Sequence, residues 1–178
     1  MCTIENIPLI KSTDFTNKFT DRHLCYTNKK RIEINKFMMD KIVRLSKNEK
    51  PYNMSKLRNA KGEFYDENSQ DVQLLIGMPI ISRVNNRKLN IVNNDMFDII
   101  DIDIENDILK IGSDGKNQEV PLKDFQKLFY VAFCITNHKS QGATITGPYT
   151  IHEFNKYDDK MKYVALTRAT HKRNINII

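Results

Sequence analysis

Seven consecutive residues, Thr136, Asn137, His138, Lys139, Ser140, Gln141 and Gly142, follow the apolar run of Phe129, Tyr130, Val131, Phe133 and Ile135. Six side chains that donate or accept hydrogen bonds, closed by a glycine, mark the carboxyl end of a buried central strand. Open α/β sheets bind ligands in the crevice at such strand ends. A second concentration of polar chemistry is Lys29, Lys30 and Arg31, in what reads as the first turn of a helix. There the helix dipole makes each cation unfavourable by about 0.3–1 kcal/mol. An anionic ligand beside the turn would offset that cost, and three solvated basic side chains are the plainer reading. The histidines His23, His138, His152 and His171 have neither ligand spacing nor companion carboxylates, so no metal site is expected. A phosphate-cradling G-x-x-x-x-G-K-[ST] is absent: Gly142 and Gly147 have the separation, but Pro148 and Tyr149 follow.

These residues need elements to hold them. His23 to Thr27 reads as a short strand. Thr27 or Asn28 then caps a helix with Ile34, Met38, Ile42 and Leu45 on one face. Residues 1–21 read as an extended lead-in and the polar residues 46–71 as a long connection. From Val72 to Val120 the pattern becomes strand-like. Ile100, Ile102 and Ile104 alternate with Asp101, Asp103 and Glu105, which predicts a buried face and an acidic solvated one. Turns are expected at Asn85–Asn86, Asn93–Asn94–Asp95, Asn106–Asp107 and Ser113–Asp114–Gly115. Four or five such strands make a small β-barrel, whose acidic outer face would repel phosphates. Thereafter Tyr149 to Phe154 reads as a strand, Asp158 or Asp159 starts a helix reaching about Ala169, and Asn174 to Ile178 is a last strand. The fold class is α/β, a layered domain interrupted by an all-β module.

Composition sets the outer bounds. A chain of 178 residues with 40% hydrophobic content suits one domain with a small insertion. Neither a membrane span nor a secretory leader is expected, since Thr3, Glu5 and Asn6 interrupt the amino end. Cys2, Cys25 and Cys134 are odd in number, and Cys25 and Cys134 sit in apolar runs as reduced core residues, which suits an intracellular compartment. The net charge of +6 is uneven: residues 1–60 carry 13 basic and 6 acidic side chains, residues 61–128 carry 8 and 13, and residues 129–178 carry 7 and 3. Basic ends around an acidic middle suit a polyanion partner and a solvated mixed surface about equally. Heavy use of Asn, Lys and Ile suggests an A/T-rich genome, for which a large DNA virus is one candidate source.

TNHKSQGATI followed by YVALTRAT, in that order and at that spacing, resembles motifs V and VI of superfamily 1 DNA helicases of the RecD-like, 5′-to-3′ branch, with a UvrD-type carboxyl-terminal domain. HLCYTNKKRIEIN is similar to the strand and helix that open the second RecA-like (P-loop NTPase-type) domain. IGMPIISRVNN with LNIVNNDMFDII is similar to the start of the inserted SH3-like barrel. The resemblance implies a second RecA-like domain over 1–71 and 129–178, interrupted by a barrel over 72–128. It implies that Arg168 is an arginine finger reaching the γ-phosphate of ATP at the mouth where the strand ends gather. There such a residue is worth about 10³–10⁵ in rate. Gln141, Gly142 and Thr167 would lie by the nucleotide. Thr136, His138, Lys139, Ser140, Asn28 and Lys29 would lie by the backbone of single-stranded DNA. ATP and Mg²⁺ would be held mainly by an amino-terminal RecA-like domain of the same protein, a partner that the missing phosphate loop makes necessary. Two departures stand out: Asn137 occupies a usually apolar position, and Asn94 replaces a barrel-turn glycine. The alternatives are a helicase-derived nucleic-acid-binding module without catalysis and the helicase part of an RNA-virus replicase.

Overall fold

Strands buried on both faces read as unbroken apolar runs, and antiparallel strands with one wet face read as alternation; both kinds are present. The computed structural model describes Ile7 and residues 10–47, 49–64, 66–113 and 115–178. Cys2, Thr3, Glu5, Asn6 and Asp114 of the expected turn lie outside the described residues. In chain order the elements are β1 (His23–Cys25), α1 (Asn28–Leu45), β2 (Tyr52–Met54), β3 (Val72–Leu74), β4 (Pro79–Ser82), β5 (Met96–Asp103), β6 (Ile108–Ser113), β7 (Lys116–Pro121), the single turn α2 (Phe125–Leu128), β8 (Phe129–Val131), β9 (Cys134–Thr136), β10 (Tyr149–Ile151), α3 (Asp159–Leu166) and β11 (Ile175–Ile177). The chain divides into two compact units, Met1–Glu33 with Cys134–Ile178, and Ile34–Phe133. No helix among the described residues is long and apolar enough to cross a membrane.

In the first unit β11, β10, β1 and β9 lie side by side in that order, all parallel. Every residue of these strands is buried, including Cys25 and Cys134, both free thiols. Burial pushes the Cys134 thiol well up, so it stays protonated. Helix α1 begins as expected: Thr27 Oγ1 accepts the Lys30 amide at 3.2 Å. Asp158 likewise caps α3 through the Met161 amide at 2.7 Å. Helix α3 stops at Leu166, short of Ala169, and just beyond it Arg168 Nε donates to the Val164 carbonyl at 3.1 Å.

The second unit holds an antiparallel sheet ordered β7-β6-β5-β4-β8 and a separate β2–β3 pair. Residues 46–71 are therefore not wholly a connection, since Tyr52–Met54 pairs antiparallel with Val72–Leu74. Helix α1 runs on into this unit, where Ile34, Met38 and Met39 are buried, while Leu45, expected on the apolar face, is 70% exposed. Asn94 adopts the left-handed conformation its turn requires, at φ 74°.

Two further expectations are corrected. The apolar run from Phe129 to Ile135 is not one central strand: β8 pairs antiparallel with β4, and β9 pairs parallel with β1 as an edge strand. Unbroken apolarity reports burial and cannot tell one strand from two in different sheets. In β5 the buried residues are Phe97 and Ile99, while Ile100 and Ile104 are 43% and 62% exposed. The register shifts between Ile99 and Asp101, so Ile100 is an extra residue opposite the ladder. A bulge of this kind reverses the facing of everything beyond it. It returns Ile102 to the core side, opposite the buried Leu109. Ile100 lies instead over Gly112, where an added Cβ would stand 3.0 Å from Ile100 Cγ1.

Candidate functional site

The turn at the carboxyl end of β9 is fixed from inside. Asn137 is 3% exposed, and its Nδ2 donates to the Met161 carbonyl in α3 at 2.9 Å. Ser140, also buried, donates its hydroxyl to the Asn137 carbonyl at 2.7 Å and lies 3.3 Å from Asn137 Oδ1. The polar row therefore splits. Thr136, Asn137 and Ser140 point inward, His138, Gln141 and Gly142 are exposed, and Lys139 is half-buried. Gly142 has φ +83°, and a Cβ there would meet nothing within 4 Å. The dihedral alone demands glycine, and the space beside it is open.

Arg168 is half-buried. Its Nε donates to Val164 O at 3.1 Å, Nη1 to Ala143 O at 2.9 Å, and Nη2 reaches Thr167 Oγ1 at 3.4 Å. An arginine carries five N–H donors, so these contacts leave donors to spare. The main chain reinforces the join: the Ile145 amide donates to Arg168 O at 2.8 Å, and Ile145 bridges Ala169 in parallel. The tail of the first motif is thus zipped to the second.

Arg168 does not stand at the mouth formed by the strand carboxyl ends. Helix α3 starts beyond the carboxyl end of β10 and returns alongside it. Tyr149, the first residue of β10, donates its hydroxyl to Ala165 O at 2.6 Å, which puts Thr167 and Arg168 near the amino ends of the strands. Thr136 ends β9 and Asn137 to Ser140 follow it, while Asn28 and Lys29 follow the end of the adjacent β1. Two groups result, one at each end of the sheet, with Gln141 and Gly142 on the path between.

Beside the start of α1 an anion is already built in. Glu153 accepts the Tyr26 amide at 3.2 Å, the Thr27 amide at 2.9 Å and the Thr27 hydroxyl, and pairs with Lys156 Nζ at 2.7 Å. Burial alone would raise its pKa, but the hydrogen bonds from Lys156 and Thr27 outweigh that and hold it below the usual range. This carboxylate does for the α1 terminus what the sequence left to an external ligand. Of the cations crowded there, Arg31 is buried rather than solvated, with Nε donating to Asn28 Oδ1 at 3.1 Å, and Lys29 is exposed. Asp158, Asp159 and Glu153 are the only acidic residues after residue 128, which is the one sequence signal that could have drawn attention to Glu153.

Sequence spacing also missed a buried histidine pair. His23 Nδ1 and His152 Nε2 are 3.1 Å apart, although 129 residues separate them in the chain. Burial, then the nearby Lys30, brings the pKa of His152 down to about 4, so it is neutral at pH 7. Among the described residues no group of three or more His, Cys, Asp or Glu is arranged to hold a metal. Toward a nucleotide the chain offers a guanidinium and exposed turn residues, but no phosphate-loop lysine.

No protein-family model and no curated protein matches this sequence. Solved structures do. Bacteroides Pif1 bound to single-stranded DNA is 17% identical with a TM-score of 0.67, over 98% of this chain and 45% of that one. The Bacteroides enzyme with ADP-AlF3 and single-stranded DNA is 18% identical with a TM-score of 0.63, over 98% and 47%. Pif1 helicase from Candida albicans is 15% identical with a TM-score of 0.62, over 98% and 51%. The chain spans about half the length of these structures. At such identities the likeness establishes the fold: a parallel α/β sheet with an antiparallel β insert, as in part of a Pif1 helicase.

Proposed function

We propose that this chain is the carboxyl-terminal motor half of an intracellular ATP-dependent DNA helicase that moves 5′-to-3′ on single-stranded DNA. Its second RecA-like domain is read over 1–71 and 129–178 with 72–128 as an inserted SH3-like barrel, bounds that differ from the two compact units in assigning 34–71 and 129–133 to the parallel-sheet domain. The observation that carries this reading is the join of Ala143 and Ile145 to Arg168, which makes two distant sequence motifs one structure. His138, Lys139, Asn28 and Lys29 lie along the DNA, while the buried Thr136 and Ser140 shape the turn that presents them. Arg168, with Thr167 beside it and Gln141 and Gly142 on the segment leading to it, faces ATP and Mg²⁺ held by an amino-terminal RecA-like domain. The rule placing ligands at strand carboxyl ends governs the domain that cradles the phosphates. Arg168 at the amino ends departs from the expected mouth and counts against the finger role, which then rests on another domain bringing its nucleotide to that end. When ATP is bound it supplies the phosphoryl group, and this chain contributes positive charge beside it.

A second reading, a nucleic-acid-binding module without catalysis, draws on the absent phosphate loop and on the guanidinium's internal bonds. Titrating the chain with labelled oligo-dT and oligo-U by fluorescence anisotropy at 50–200 mM salt, alongside an ATPase assay, separates the readings. The motor-half reading expects weak, steeply salt-dependent DNA binding, with a log–log slope of about −0.7 per phosphate contacted, and no ATP turnover by the chain alone. Adding a phosphate-loop domain should restore turnover that Arg168→Ala lowers by about 10³ or more. Failure to bind single strands at any salt, or helicase-rate turnover by the isolated chain, rejects it. DNA binding without restored turnover favours the binding module, and preference for oligo-U favours an RNA helicase.

A further inference from the structure

Asn137 is 3% exposed, and its amide is spent on the Met161 carbonyl at 2.9 Å. An apolar residue would fill that place without desolvating an amide. The Met161 carbonyl belongs to a helix and does not depend on this donor, so the bond is not there to complete α3. What it does is attach the 137–140 turn to the first part of α3. The second attachment lies at the other end of the same helix, where Arg168 Nη1 meets Ala143 O and the Ile145 amide meets Arg168 O. Met161 and Arg168 are separated by about 10 Å at the helical rise of 1.5 Å per residue. A segment held at one point can pivot, whereas one held at two such points shifts with the helix.

We propose that Asn137 is a positioning residue that makes segment 137–145 and α3 one body, so that a single strand touching His138 and Lys139 changes the setting of the Arg168 guanidinium. The inference rests on the motor-half reading and adds to it the side chain that joins the two ends of the sheet. The Asn137 side chain is turned inward while His138 is exposed and Lys139 half-buried, and the Ser140 bond to the Asn137 main-chain carbonyl survives loss of the side chain, so the nucleic-acid contacts are expected to stay in place when Asn137 is replaced.

The test uses the whole 178-residue chain and the arginine-selective reagent phenylglyoxal, with modification of Arg168 followed by peptide mass mapping. Saturating oligo-dT is expected to change the rate at Arg168 by about fivefold or more, the lower end of typical coupling between sites. Exposed Arg87 serves as the reference. Asn137→Leu should bind oligo-dT with unchanged affinity and lose the change at Arg168. Asn137→Ser is the substitute if the leucine variant does not fold. An Arg168 rate that ignores bound oligo-dT in the wild type overturns the inference while leaving the motor-half reading standing. So does a response that survives in the variants. Absence of any oligo-dT binding removes both.

Discussion

The two units bury different things. In the parallel-sheet unit, His23, Arg31, Thr136, Asn137, Ser140, Thr150, His152 and Asn176 are buried polar side chains, set among strands of three residues each. The larger antiparallel unit buries Asn35, Ser69, Gln70, Ser82 and Gln126, and its middle is an aromatic cluster with Phe129 5.8 Å from Phe125 and 6.0 Å from Phe97. A buried polar atom must find a partner at a fixed distance and angle, whereas an apolar core needs only volume and shape. The first unit uses that demand to aim its strand ends and Arg168. The second obtains stability from packing.

Four experiments would break or sharpen the contrast. The largest effect is expected at Phe129, 1% exposed: Phe129→Ala should cost about 3–5 kcal/mol in urea unfolding while leaving oligo-dT affinity unchanged under native conditions. Loss of binding by the folded variant would show that the units are not functionally separate. Next comes pH. The unfolded imidazole of His152 titrates near 6.5 and the folded one near 4, so between these values the unfolded chain holds more protons. Stability is therefore complete above about pH 6.5 and falls by about 3 kcal/mol as pH drops toward 4. Thermal unfolding across that range should show the slope, and His152→Gln should flatten it; an equally steep slope in the variant would assign the effect to other groups. Third, Gly142→Ala should cost about 1–2 kcal/mol through its positive φ alone. A larger loss in chemical denaturation would mean that the surrounding space is occupied. Smallest is Ile104→Thr, which should lie within about 0.5 kcal/mol because Ile104 is 62% exposed. A cost typical of a core residue would restore the strict alternation that the bulge removes.

Much of this architecture is legible in the residues. The caps at Thr27 and Asp158, the left-handed turn at Asn94, the buried thiols and the change from helical to strand period in the middle of the chain all follow from neighbours within about four positions. The candidate site was half legible. The polar row after Ile135 marked a strand end, yet its types could not say which members turn inward, and Ser140 and Thr136 prove as buried as the strand before them. Nor could a motif show which end of the sheet Arg168 occupies, because that depends on the direction α3 takes after β10.

By itself the sequence determined most of the order of the elements, missing β2 and merging β8 with β9, and the chemistry available at each one. Only the tertiary structure decided the division of the Phe129–Ile135 run between two sheets, the bulge at Ile100, the Glu153 carboxylate beside Thr27 and the meeting of His23 with His152. The physical reason is range: a cap or a turn is a bargain among adjacent residues, while these contacts join groups brought together only when distant strands pair. Arg168 illustrates both levels, since its reach to Val164 is local and its hold on Ala143, 25 residues away, exists only in the folded sheet.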